Sequence, residues 1–174
     1  MQWSKLKQMI EHRMCDSLAG RVELHYARYR HAHDGHGRLW ITIDGREVES
    51  VSFHRAAAAR SHLAQGLREA NAHVVAQDPE FRAAFRDGWA PAMEITRRQG
   101  VVTEFEFHEE LERFLSLSVK EALASANPLI RALVVVDRRL GKRRLLALGK
   151  EALDHPLIRE LYALRCEAEG IPSH

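Results

Sequence analysis

The stretch RLWITIDGREVESVSF (38–53) restricts this chain more than any other part of it. Leu39, Ile41 and Ile43 alternate with their neighbours as in a half-buried strand. Asp44-Gly45 then supplies the residue pair a two-residue hairpin turn requires, because both central positions need positive φ. Just upstream, VELHYARYR (22–30) alternates in the same way through Val22, Leu24 and Tyr26. The connection between them, HAHDGHG (31–37), is polar and reads as an exposed loop. The segment is a three-stranded antiparallel β meander.

Helical spacing dominates elsewhere. Trp3, Leu6, Met9, Ile10, Met14 and Leu18 predict an amphipathic helix over 3–18, with Gly20 as its stop. After about Arg55 the pattern is helical almost to the end. Leu63, Leu67, Ala70 and Val74 form one stripe. Asp78-Pro79 opens a second helix carrying Phe81, Phe85 and Trp89, Pro91 interrupts the helical run beyond Trp89, and Gly100 stops it. Thr103 with Glu106 and Ser118 with Glu121 are capping boxes, each opening a short amphipathic helix. Glu109, Glu110 and Glu112 read as the exposed face of the first of these. The fold class is therefore α+β: an N-terminal helix, the meander, then a mainly helical C-terminal part. We expect one domain over 1–174, with helix and meander in 1–53, helices in 54–100 and a bundle of short helices in 101–174.

At 174 residues the chain can bury a core without covalent staples, and its two cysteines, Cys15 and Cys166, are too far apart in sequence to suggest a disulfide framework. With no apolar leader and no long apolar run, the expectation is a cytoplasmic protein without membrane contact. There is no GxSxG elbow, no glycine-rich phosphate loop and no CxxC pair, so the sequence favours a non-enzymatic role and calls for no cofactor.

Net charge is only +2, from 26 basic and 24 acidic residues, so any argument for an anionic partner has to rest on local clustering. The strongest cluster lies in NPLIRALVVVDRRLGKRR (127–144), which nearly repeats as HPLIRELYALRCEAEG (155–170). In both copies a capping residue precedes proline, matched apolar positions come after it, and Gly141 or Gly170 is placed to close the helix. Arg138 and Arg139 would then sit at a helix C-terminus, where cations are favoured. Lys142, Arg143 and Arg144 would open the next helix, RRLLALGKEAL, where the dipole disfavours them. Acidic neighbours, solvation or an anionic ligand must keep them there. A second basic set, Arg28, Arg30 and Arg38, is assigned to a face of the meander.

The meander supports two further readings. The order helix, three strands, helix is that of double-stranded RNA binding domains, with His33 or His36 in the first strand connection and His54, Arg55 and Arg60 at the helix start. The loop itself offers His31, His33, Asp34 and His36, nitrogen and oxygen donors that a metal-dependent hydrolase would need.

The motifs WSKLKQ (3–8), GRVELH (20–25), RYRHAHDGHGRLWITIDG (28–45), NPLIRAL, DRRLGKRR and the final HPLIRELYALRCEAEG together resemble a family of small bacterial proteins with no established activity, cofactor or catalytic residue. The resemblance implies a bacterial cytoplasmic protein and carries over no site. The leading expectation is an interaction protein that meets an acidic or phosphate-bearing protein partner through Arg28, Arg30, Arg38, Arg138, Arg139, Lys142, Arg143 and Arg144. RNA is the alternative partner, and a homodimer through the sheet edge or the last helix is compatible with both.

Overall fold

The computed structural model describes residues 1–29, 36–75, 89–148 and 150–172. Helix α1 (Trp3–Glu11) buries Leu6 and Ile10 and ends sooner than its apolar spacing predicts. A backbone pairing ends it. Met14 bridges Asp137, the Cys15 N–H donates to the Val136 carbonyl at 2.9 Å, and the Arg138 N–H donates to the Arg13 carbonyl at 2.8 Å. Leu18, inside a short 3-10 turn (Asp16–Leu18), is still buried. Its side chain reaches the core by a different backbone route from the one expected.

Strands β1 (Val22–Arg28), β2 (Gly37–Ile43) and β3 (Arg46–Ser52) form the antiparallel meander in sequence order. Asp44 and Gly45 take φ 48° and 77°, the conformation their hairpin turn demands. Leu24 faces Ile41 and Leu39 faces Val51, and these side chains make the buried face. The pairing of β2 with β3 shifts between Ile41 and Thr42, passing over Val48. The bulge leaves Arg46 and Glu47 exposed at the start of β3 while Val51, near its end, is buried against the core. On the outer face His25 stacks on Trp40 with ring centres 5.2 Å apart, and the Arg38 guanidinium lies 5.2 Å over the same indole. Trp40 therefore stands on the outer, half-exposed side of the sheet. Gly37 could be no other residue, since an added Cβ would fall 2.6 Å from the Ala27 carbonyl oxygen.

Helix α2 (Phe53–Val75) follows β3 directly and buries Ala56, Arg60 and Ala64, a stripe displaced from the larger residues that periodicity picks out. Helix α3 (Trp89–Arg98) contains Pro91 and continues through it to Arg98, so among the described residues the proline does not break the helix. Gly100, at φ 76°, follows its end. The expected Asp78-Pro79 cap and the Phe81 and Phe85 stripe lie outside the described residues.

Both capping boxes form, at Thr103 for α4 (Glu104–Phe114) and at Ser118 for α5 (Val119–Leu123). The near-repeat becomes two packed helices, α6 (Pro128–Val136) and, after the short α7 (Lys142–Leu146) and a 3-10 turn (Lys150–Leu153), α8 (Pro156–Ala168). Asn127 caps α6 by accepting the Leu129 N–H at 2.9 Å, and His155 caps α8 by accepting the Leu157 N–H at 3.2 Å through Nδ1. Gly170 closes α8 at φ 64°, but α6 stops at Val136 and Gly141 instead precedes α7. One apolar cluster joins α1, the inner sheet face and α4 to α8. Among the described residues no helix is long and apolar enough to cross a membrane.

Candidate functional site

The basic end is organised by two arginines that face inward. Asp137, 1% exposed, follows the last residue of α6. Its carboxylate accepts the Arg139 backbone N–H at 2.8 Å, Nε at 2.9 and 3.0 Å, and Nη2 at 2.6 Å. Arg139 Nη1 reaches the Leu117 carbonyl at 2.8 Å, and its guanidinium lies 5.7 Å over the Phe114 ring. From α8, Arg165 donates to the carbonyls of Val135 (2.6 Å), Asp137 (3.2 Å) and Leu140 (2.6 Å), while its Nε is held by Glu169 Oε1 at 2.9 Å. The end of a helix leaves carbonyls without intrahelical donors, and a buried guanidinium needs acceptors for its five N–H groups. Each requirement meets the other here. The cation expected at the C-terminus of α6 from DRR is thus supplied by Arg165, 28 residues beyond Asp137, and Arg139 is a structural residue.

What this clamp leaves outside is the candidate site. Arg138, Lys142, Arg143 and Arg144 are exposed, and among the described residues the guanidinium groups of Arg138, Arg143 and Arg144 meet no carboxylate. Lys142, with a side chain 63% exposed, donates to the Glu169 carbonyl at 3.3 Å and stands 3.7 Å from Glu169 Oε2. Arg138, Gly141 and Lys142 border an open concavity of about 540 Å³, with Asp16 and Ser17 also in its lining and Cys15, Arg165 and Glu169 among the buried or nearly buried members. Burial pushes the Cys15 thiol up to about 11, against the opposing pull of Arg165 and with the Glu169 carboxylate adding to it. It is no nucleophile at neutral pH. Burial also works against ionisation of Glu169, but the hydrogen bond and charge of Arg165 outweigh it and hold the carboxyl below its usual range.

The strand-face site is not assembled. Arg38 faces Ala27 across the β1–β2 ladder, so Arg28, one residue on, projects to the opposite side of the sheet. Arg38 is paired with Glu47, Arg28 ends β1 exposed, and Arg30 lies outside the described residues. The basic helix start of the RNA reading is also engaged internally. Arg60, 5% exposed, bonds Glu106 at 2.7 Å and Thr96 at 3.2 Å, and Arg55 bonds Glu49 at 2.9 Å. Of the hydrolase set, His31, His33 and Asp34 lie outside the described residues. His36 stacks on Phe53 at 3.9 Å, with Nδ1 3.5 Å from the buried Glu104 Oε1. Among the described residues no three ligating side chains come together.

Sequence reasoning missed Arg165, Glu110 and Glu104. Arg165 had a legible signal, since it continues the buried series Ile158, Leu161, Tyr162. A charge in such a register position implies buried partners. Glu110, expected on an exposed acidic face, instead holds Arg97 at 2.7 Å and bonds the Asn127 side chain.

The model of the SF0329 protein family matches residues 2–166, spanning the alanine- and arginine-rich middle as well as the motif-bearing ends, and the chain belongs to that family. No curated protein and no solved structure matches it.

Proposed function

We propose that this protein is a non-enzymatic interaction module that receives an acidic or phosphate-bearing partner at the basic end formed by Arg138, Lys142, Arg143 and Arg144. One observation carries the reading. Arg21, Arg38, Arg46, Arg60, Arg131 and Arg139 are each engaged by a carboxylate of the same chain, whereas among the described residues Arg138, Arg143 and Arg144, close together in the sequence, are exposed without one, as are the isolated Arg28 and Arg159. Lys142 opens α7, where the dipole disfavours a cation, whereas Arg143 and Arg144, expected at the helix start, fall in the last turn of this five-residue helix, where it favours them. Packing explains none of the three, because Leu145 is the buried residue of that turn. A ligand of opposite sign does. The buried thiols Cys15 and Cys166, unpaired, support a reducing, cytoplasmic setting.

Fluorescence anisotropy with a labelled hexaglutamate peptide, and with a short duplex RNA as the nucleic-acid comparison, tests this across a salt series. Affinity should fall steeply as salt rises. The triple variant Arg138→Glu, Arg143→Glu, Arg144→Glu should bind at least about tenfold more weakly while unfolding at the same denaturant concentration, since like charges placed opposite one another cost several kcal/mol. Equal binding by the variant, or no binding of either probe by the unmodified protein, would refute the reading.

A further inference from the structure

We infer that the apolar groove next to the basic end receives an amphipathic acidic helix of a partner protein, with the partner's aliphatic side chains seated in the groove and its carboxylates meeting Arg144 on one wall and Lys120 on the other. This inference rests on the basic end being the binding surface, and it names the class of partner that surface takes.

The groove has a volume of about 410 Å³, within the range of ligand sites. Val135 of α6 and Ile158 of α8 line it, each 1% exposed, together with Leu123 at the end of α5 and Leu148 just beyond α7. Leu123 and Leu148 pack against the main core yet stay half-buried, so aliphatic surface is left open to solvent. Contiguous apolar surface of this kind marks an interaction site, whereas single exposed leucines do not. The polar end of the groove is already engaged. Arg131 holds both oxygens of Asp154, at 2.6 and 2.7 Å, and donates to the Ser125 carbonyl at 2.9 Å.

The unengaged charge lies on the walls. Residues three and four apart on a helix are neighbours. Lys120 precedes Leu123 by three positions in α5, is exposed, and meets no carboxylate among the described residues. Arg144 precedes Leu148 by four. Bonds from the Ala147 N–H to the Arg143 carbonyl and from the Leu148 N–H to the Leu145 carbonyl carry the turn of α7 as far as Leu148. An aliphatic groove therefore has a cation on each side.

That combination selects the occupant. A nucleic-acid backbone would meet the cations, but aliphatic walls give it nothing, and among the described residues no aromatic side chain lines the groove to stack a base. A fatty acid would cover the walls but brings a single charge to cations on two sides. A helix with apolar residues at i, i+3 and i+4 and glutamates between them supplies both the aliphatic contact and the paired charges.

The test is fluorescence anisotropy on the full chain with labelled probes: a glutamate-rich helix carrying leucine at those positions, its counterpart with alanine there, a short duplex RNA and a fatty acid. Alanine keeps the helix, so the difference between the two peptides reports burial. The leucine helix should bind at least about tenfold more tightly, the low end of what burying one leucine side chain contributes. Ala124 lines the groove from an exposed position, so Ala124→Trp should abolish that difference while leaving the alanine helix and the denaturant midpoint unaffected. Should this variant fail to fold, Ala152→Trp, from the 3-10 turn that also lines the groove, makes the same test. Lys120→Glu with Arg144→Glu should weaken the leucine helix at least about tenfold. If both helices bind equally and both weaken in the triple variant of Arg138, Arg143 and Arg144, the basic end stands and the groove is refuted. Binding of the leucine helix that is indifferent to the Lys120 and Arg144 changes would refute an acidic partner. RNA or fatty acid binding more tightly than the leucine helix and lost in Ala124→Trp would give the groove to that ligand, and self-association of the chain lost in the same variant would give it to a second copy; either overturns the inference. If neither helix nor RNA binds, both proposals fall.

Discussion

Arg165 reaches three backbone carbonyls and one carboxylate while only 2% exposed, which makes it the side chain on which the α6–α7 turn depends. Replacing it with leucine would leave those carbonyls and Glu169 without donors, and removing one partner of a buried ionic network costs about 3–5 kcal/mol. We expect Arg165→Leu to lower the denaturant midpoint accordingly with an unchanged slope. Arg165→Lys should recover little, because an ammonium cannot fork across several carbonyls. His155 sets a second residue-scale expectation. Its Nδ1 must be unprotonated to accept the Leu157 N–H, and burial, helped by Arg131 and Arg159 against Glu49 and Asp154, holds its pKa below the ordinary value of 6.5. The folded state therefore binds fewer protons than the unfolded chain below that value, so the stabilisation is complete above about pH 6.5 and is lost as pH falls through the folded pKa. Asparagine caps α6 in the same way without titrating. In His155→Asn the drop in melting temperature between pH 7.5 and pH 5 should be smaller than in the unmodified protein, and an equal drop would show that this cap carries no proton linkage.

At the scale of elements, the caps state what local chemistry is worth. The Ser118 side chain accepts the Glu121 N–H at 3.2 Å, and Glu121 returns the bond to the Ser118 N–H at 2.8 Å. The surrounding segment is largely exposed, so Ser118→Ala should cost about 1 kcal/mol in chemical denaturation and no more. Such features were legible in the sequence because everything they need lies within four residues, and the Asp44-Gly45 turn and the cap-proline openings of α6 and α8 belong with them. The early end of α1 was not legible. Its cause is a pairing of Met14 and Cys15 with residues 136 and 137, more than a hundred positions away. The same distance hid the candidate site. DRRLGKRR shows a basic run, but only Asp137, Leu117 and α8 together decide that Arg139 turns inward while Arg138 and Lys142 face the solvent. A run of like charge in a sequence states how many cations there are. Which of them remain available depends on acceptors brought from elsewhere in the chain.

Across the whole molecule the apolar core is unevenly shared. The main cluster takes in α1, the sheet and α4 to α8, while the buried Ala56, Ala64 and Ala92 of α2 and α3 stand outside it. Alanine buries little apolar area, and hydrophobic stabilisation scales with that area at about 25 cal/mol per Å². Prominent among the links from these helices to the rest are polar ones, Arg60 to Glu106 at 2.7 Å and Arg97 to Glu110 at 2.7 Å. Stability should therefore be graded, with α2 and α3 opening below the cost of global unfolding and α6 and α8 exchanging only through it. Hydrogen exchange read by mass spectrometry checks this directly. Arg60→Met removes a charged hydrogen bond of about 2 kcal/mol, so amides in α2 and α3 should exchange at least about tenfold faster while the protection of α6 is nearly preserved. If α2 and α6 slow and quicken together, the chain is one cooperative unit and the polar links count for less than their geometry implies. Under the graded arrangement, the side chains proposed to meet a partner sit on the most firmly held part of the fold. Recognition there would need no prior ordering of α2 and α3, and Arg60→Met should leave hexaglutamate affinity unchanged.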